Sequence, residues 1–208
     1  MDTLKKESDT AVLIFGTFNP ITNAHVNMGL TAKRMIPDSD IIYVPARDAF
    51  LKGWKKYDDS SILKDRILLL YSVTERLGFK VTDIELDGTV DGRSVNTISY
   101  MKEHPGYSDV WFCMGTDKLN EITTWYKADE LLGKNRFLVF KRAGSDEAIA
   151  GFRSGPYYDN FTFVDDPENL YDVSSTLVRK MIFDGNVDAI KDLVPPEVYE
   201  HYKGLGGK

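Results

Sequence analysis

Six short apolar runs, most of them followed by a stretch of helical character, constrain this chain more than any other feature. They read as strands at Ala11–Phe18, Asp40–Pro45, Lys80–Leu86, Val110–Gly115, Arg136–Lys141 and Phe161–Val164. Helices fall between them at Asn23–Met35, Ser61–Leu77, Val95–His104 and Asp117–Leu132, the last open to a break. The run Ala11–Phe15 is apolar without alternation, as a strand covered on both faces must be. Such strands joined by helices imply an α/β class, a Rossmann-like doubly wound parallel sheet. A ligand then belongs outside the carboxyl ends of the strands, near the reversal of strand order, where the first and fourth runs both end.

Nothing in the sequence divides the chain, so residues 1–208 read as a single domain. A polar leader occupies residues 1–10, a helical part spans 174–203 with a helix start at Pro195-Pro196, and 204–208 is a loose tail. Two segments break the repeat: the cationic, aromatic loop 47–60 and the glycine-rich, polar stretch 143–160, which reads as a surface excursion. The net charge of −6 argues against nonspecific nucleic-acid binding, so any phosphate site must rest on a few local cations. Cys113, the single cysteine, sits in the apolar run VWFCMG and reads as an inert buried thiol. No run reaches membrane-spanning length and the leader lacks an apolar core, so the expectation is a cytoplasmic protein that does not engage membranes.

The segment IFGTFNPITNAH, Ile14 to His25, joins a strand end, a glycine turn and a helix start. Gly16 lets the chain leave the strand sharply, and Asn23 stands where a helix N-cap is expected. A helix N-terminus offers unpaired N–H groups and the positive end of a dipole, so phosphate is its natural ligand. Near the other end, VSSTLVR (Val173–Arg179) puts hydroxyl residues before an apolar helix face and Arg179 four residues beyond Ser175, on the same face. That arrangement caps a helix and aims a forked cation at the same place.

The first segment resembles the nucleotidyltransferase signature G-x-F-x-P-x-H/T-x-G-H in the form found in nicotinamide and nicotinate mononucleotide adenylyltransferases. VSSTLVR looks like the second motif of that family, I-S-S-T-x-x-R. The resemblance implies that His25, Arg179 and Lys52 carry catalysis, with Lys55 second to Lys52 in the loop RDAFLKGWKK. It implies that ATP is held by Gly16, Thr17, Phe18, Thr22, His25, Gly115, Asp117, Ser174, Ser175, Thr176 and Arg179. By the same resemblance the mononucleotide is held by Thr17, Phe18, Asn19, Lys52, Thr97 and Trp125, with Trp125 stacked on the pyridine ring. Thr22 stands where the familiar motif has a first histidine and Ala24 where it has glycine, a form known chiefly among eukaryotic-type enzymes.

The activity so implied is transfer of AMP from Mg-ATP to nicotinamide or nicotinate mononucleotide, with release of pyrophosphate. A phosphate monoester is ionised near neutral pH, so the nucleophile needs no strong base, and positioning with charge stabilisation suffices. Magnesium is expected to arrive with ATP, because no carboxylate spacing suggests a protein cage. Two alternatives stay open: a related transferase acting on phosphopantetheine or a phosphorylated alcohol, and a nucleotide sensor without turnover. The preference between amide and acid is also open, as is the oligomeric state, a homo-oligomer included.

Overall fold

The computed structural model describes residues 4–48, 63–142, 144–165, 171 and 173–206. Its centre is a six-stranded parallel sheet in the order β3-β2-β1-β4-β5-β6. The strands are β1 (Thr10–Gly16), β2 (Ser39–Pro45), β3 (Lys80–Val81), β4 (Asp109–Gly115), β5 (Arg136–Phe140) and β6 (Phe161–Val164). Strand order reverses at the β1/β4 seam, where Ala11 lies opposite Val110 and Ile14 opposite Cys113. The helices are α1 (Asn23–Met35), α2 (Arg66–Leu77), α3 (Ser94–Glu103), α4 (Leu119–Ile122), α5 (Ala128–Lys134), α6 (Asp146–Arg153), α7 (Ser175–Phe183) and α8 (Pro196–Gly206).

Side chains leave a strand on alternate faces, so a continuously apolar strand feeds two cores. Val12 and Ile14 join one cluster while Ala11 and Leu13 join the other, and β5 divides likewise into Leu138 with Phe140 and Phe137 with Val139. The first cluster takes Val26 and Met28 of α1, Leu70 and Val73 of α2, Val178 of α7 and Val198 of α8. The second takes Ile98 and Met101 of α3, Ile122 of α4, Leu131 of α5 and Ile149 of α6. The helical end of the chain therefore covers the same face as α1 and α2. Among the described residues no helix is long and apolar enough to cross a membrane.

The doubly wound parallel sheet agrees with the sequence reading, and its departures from that reading have local causes. β1 stops at Gly16 rather than Phe18, because Phe18 turns into the left-handed region at φ 44°. The third strand ends at Val81: beyond it the chain folds into turns, with the Asp87 N–H bonding the Asp83 carbonyl and the Val90 N–H that of Ile84. The stretch 143–160 contains α6, whose Ile149 is buried and whose Phe152 packs edge-on against Phe161. Its glycines masked that amphipathic turn in the sequence. Residues 204–206 continue α8 instead of joining a loose tail, and the expected helix over 117–132 is indeed broken, into α4 and α5. The N-cap of α1 is Thr22; Asn23 is the first helical residue and spends its side-chain amide on the Asp192 carbonyl, 3.1 Å away.

Candidate active site

The carboxyl ends of β1 and β4 open into a cavity of about 760 Å³. Gly16, Thr17, His25, Gly115, Asp117, Trp125, Ser174, Ser175, Thr176 and Arg179 line it, so both sequence motifs meet there. Phe18, Asn19, Thr22 and Thr97, also expected at the ligand, are fully buried and do not line it. Lys52 and Lys55 lie outside the described residues.

The buried four support the wall from behind. The Phe18 ring packs edge-on to His25, with centroids 5.1 Å apart, and tilts against Tyr43 at 5.4 Å. Gly16 is required for this packing, since a Cβ there would stand 2.8 Å from the Phe18 ring. An aromatic residue at positive φ is costly, and here close packing holds it. Asn19 accepts a hydrogen bond from the Leu63 N–H through its side-chain oxygen (2.8 Å) and another from Arg179 through its carbonyl (2.8 Å).

Thr22 fixes the state of His25. The Thr22 backbone N–H donates to His25 Nδ1 at 3.1 Å, and its hydroxyl lies 2.8 Å from the same nitrogen. A nitrogen that accepts an N–H bond carries no proton of its own, so the neutral ring bears its hydrogen on Nε2. Burial, aided by the guanidinium of Arg142, holds the His25 pKa down at about 4. His25 is thus a neutral, oriented donor at the first turn of α1.

Beside it stands the N-terminus of α7, with the Thr22 hydroxyl 3.4 Å from the Val173 carbonyl. Ser174 caps it by accepting from the Leu177 N–H (3.2 Å), and the Ser175 hydroxyl donates to the Pro20 carbonyl (2.9 Å). Arg179 is buried, with Nη1 on the Asn19 carbonyl and Nη2 on the Thr176 hydroxyl at 3.2 Å. Its guanidinium therefore ties the two motifs together as well as forming part of the wall. A second buried arginine, Arg66, braces the strand ends: it donates to the carbonyls of Thr17 (2.6 Å) and Ala46 (2.7 Å) and to Asp48 (2.7 Å).

Asp117 and Arg142 close the β4 side, with Arg142 Nε 3.5 Å from Asp117 Oδ1. Gly115 makes room for both, because a Cβ there would lie 2.5 Å from Asp117 Oδ1 and 2.9 Å from Arg142 Nε. The sequence reading passed over Arg142, although the pair Lys141-Arg142 follows β5 on the same edge as Gly16 and Gly115. Further along, Phe15 stacks on Phe112 at 4.6 Å and half-buried Trp125 meets Phe112 edge-on at 6.1 Å. Val44 and Val95 complete an apolar slot there, and Glu85 and Arg93 supply its polar groups. Glu85 carries no mark in the sequence, where Lys80–Leu86 reads as a strand, whereas the strand ends at Val81. Thr97 does not reach the slot; its hydroxyl donates to Glu85 at 2.8 Å.

One end of the cavity thus offers helix N-termini, a histidine donor and arginines, which suit a polyphosphate, while the other suits a flat ring. Cys113 touches the cavity, but burial pushes its thiol pKa far up, so it stays protonated and is no nucleophile. Among the described residues, no three histidine, cysteine or carboxylate side chains gather as a metal site.

Comparison with known proteins agrees with this architecture. A Clostridium tetani protein named "Probable nicotinate-nucleotide adenylyltransferase" is 28% identical over 92% of this chain and 94% of its own. A Clostridium acetobutylicum protein of the same name is 25% identical over 90% and 93%. The Plasmodium falciparum nicotinic acid mononucleotide adenylyltransferase complexed with NaAD shares the fold at a TM-score of 0.72 and 19% identity, over 95% of this chain and 97% of that one. Residues 13–181 match the cytidylyltransferase-like family, and the chain belongs to that family of nucleotidyltransferases.

Proposed function

We propose that this enzyme transfers the adenylyl group of ATP to nicotinate mononucleotide, giving deamido-NAD and pyrophosphate. A phosphate oxygen of the mononucleotide forms a bond to the α-phosphorus of ATP as the bond from that phosphorus to the bridging oxygen breaks. The electron pair leaves with pyrophosphate. The observation that carries the reading is the oriented Nε2–H of His25, fixed through Nδ1 by Thr22, on the same cavity wall as the capped N-terminus of α7. A donor held in that state stabilises charge growing on phosphate oxygens without having to remove a proton.

The apolar slot of Phe15, Phe112 and Trp125 suits the pyridine ring, and Asp117 suits hydrogen bonds from ribose hydroxyls. Magnesium enters with ATP, held by phosphate oxygens and water and supplying charge neutralisation; the scattered carboxylates of the cavity fit that role better than a cage. The names of the clostridial relatives favour the acid over the amide as acceptor. The test is pyrophosphate release from Mg-ATP with nicotinate mononucleotide, nicotinamide mononucleotide and phosphopantetheine in parallel. Release with phosphopantetheine alone would overturn the reading, and binding of ATP without release in any arm would point to a sensor.

A further inference from the structure

Glu85 is the buried one of the two polar groups in the apolar slot. It is 3% exposed, it lines the cavity, and among the described residues its carboxyl bonds only the Thr97 hydroxyl. A carboxylate costs heavily to bury, so one kept in the wall of this cavity with a single neutral donor is poorly satisfied until something else arrives. The slot walls are Phe15, Phe112, Trp125, Val44 and Val95, none of which can bond a polar substituent through its side chain beyond the indole N–H. A flat ring entering between them has its substituent to satisfy, and Glu85 is the polar atom set there to meet it.

Resting on the reading of the site as a pyridine-mononucleotide site, we propose that Glu85 discriminates the ring substituent by protonation: the acid is bound with one proton shared between its carboxylate and Glu85, the amide with Glu85 ionised and accepting from the amide N–H. Two carboxylates in contact cannot both stay ionised, so acid binding must take up a proton, whereas an amide can meet an ionised carboxylate directly. The proton comes from solvent and returns to it on release, and no covalent bond changes.

The surroundings leave Glu85 able to switch. Burial raises its pKa to about 7, opposed by the Thr97 hydrogen bond; the Asp91 carboxylate raises it further and the Arg47 guanidinium opposes that. Arg93, the remaining nearby cation, is engaged with Asp91 at 3.5 Å and lies over the Tyr126 ring at 4.2 Å. Both forms of Glu85 are therefore populated near neutral pH, where kcat/KM reports the free enzyme's ionisations.

The experiment is kcat/KM for both mononucleotides from pH 5.5 to 9, in the parent, Glu85→Gln and Thr97→Val. Expressing the result as the acid-to-amide ratio cancels the titration of the phosphate that both carry. In the parent the ratio should fall about tenfold per pH unit across the range, because the acid draws on protonated Glu85 and the amide on ionised Glu85, with equal amounts of the two at about pH 7. In Glu85→Gln it should be flat, because the amide side chain donates to one substituent and accepts from the other at every pH. Thr97→Val, which removes a donor that favours the ionised form, should raise the ratio by the same factor at every pH. Calorimetry at pH 8 in two buffers of different ionisation enthalpy should show uptake of one proton with the acid and none with the amide. A pH-independent ratio in an active parent, or a slope that persists in Glu85→Gln, would overturn the proposal while leaving the adenylyltransfer reading intact. Turnover of neither mononucleotide would remove both.

Discussion

The state of His25 can be tested without any substrate. The His25 pKa lies at about 4 against an ordinary 6.5, because the folded ring is dehydrated and sits near Arg142. At 1.36 kcal/mol per pKa unit, that difference corresponds to on the order of 3 kcal/mol as an upper bound, since the half-buried ring lines the open cavity. The sign follows from linkage. Above pH 6.5 the ring is neutral folded and unfolded and contributes nothing; as pH falls toward 4 the unfolded chain takes up a proton the folded one refuses, and stability is lost. His25→Asn should therefore gain on the parent as pH drops from 7 to 4 in urea unfolding. Long-range proton–nitrogen correlation spectra should show the Nε2–H tautomer, and added pyrophosphate should raise the pKa. In turnover, His25→Ala should lose roughly 10²–10³-fold, the cost of one preorganised donor. An Nδ1–H tautomer, a midpoint between 6 and 7, or turnover within twofold of the parent would refute the reasoning.

Trp125→Ala should raise KM for the mononucleotide about five- to tenfold, since a stacked ring contributes on the order of 1 kcal/mol, with KM for ATP unchanged; equal weakening of both with a lower Tm would make Trp125 a packing residue. Arg179→Lys keeps the charge but loses the fork that puts one nitrogen on the Asn19 carbonyl and another on the Thr176 hydroxyl, so ATP KM should rise and Tm should fall together. Unchanged values of both would break the link drawn between the motifs. Gly115→Ala must displace Asp117 or Arg142 and should impair ATP use far more than folding, measured as KM for ATP beside Tm.

The fold was legible because its signal is carried by strands buried on both faces. Val12 and Leu13 point to different cores, so neither position tolerates a polar residue and the apolar run survives as a mark in the sequence. The short β3 left no such mark, and Lys80–Leu86 was overread because Ile84 is buried within a turn rather than a strand. In the site, the residues that stood out were those whose chemistry depends on local spacing: His25 at the third position of α1, Ser174 at the cap of α7, and Gly115 before Asp117. What spacing could not tell was which side of the wall each residue occupies. Phe18 and Thr22 sit beside the phosphate motif in sequence, yet packing turns both away from the cavity. Arg142 and Glu85 come from elements whose neighbours became apparent only once the strand order brought them to one edge.

The joining of distant segments has a consequence for how the site works. The Thr22 hydroxyl is 3.4 Å from the Val173 carbonyl, Ser175 holds the Pro20 carbonyl, Arg179 holds that of Asn19, and the Asn23 N–H bonds the Leu193 carbonyl at 3.0 Å. Each contact joins the turn after β1 to the helical end of the chain, more than 150 residues away, so the turn is set by groups that the sheet alone does not provide. Buried carbonyls left without these partners would carry a penalty of about 1–3 kcal/mol each, which gives the turn and the helical end a shared stability. The two helix starts at the cavity are therefore one unit rather than two sites that happen to be close. A change that loosens α7 or α8 should be felt at His25 before it is felt in the sheet.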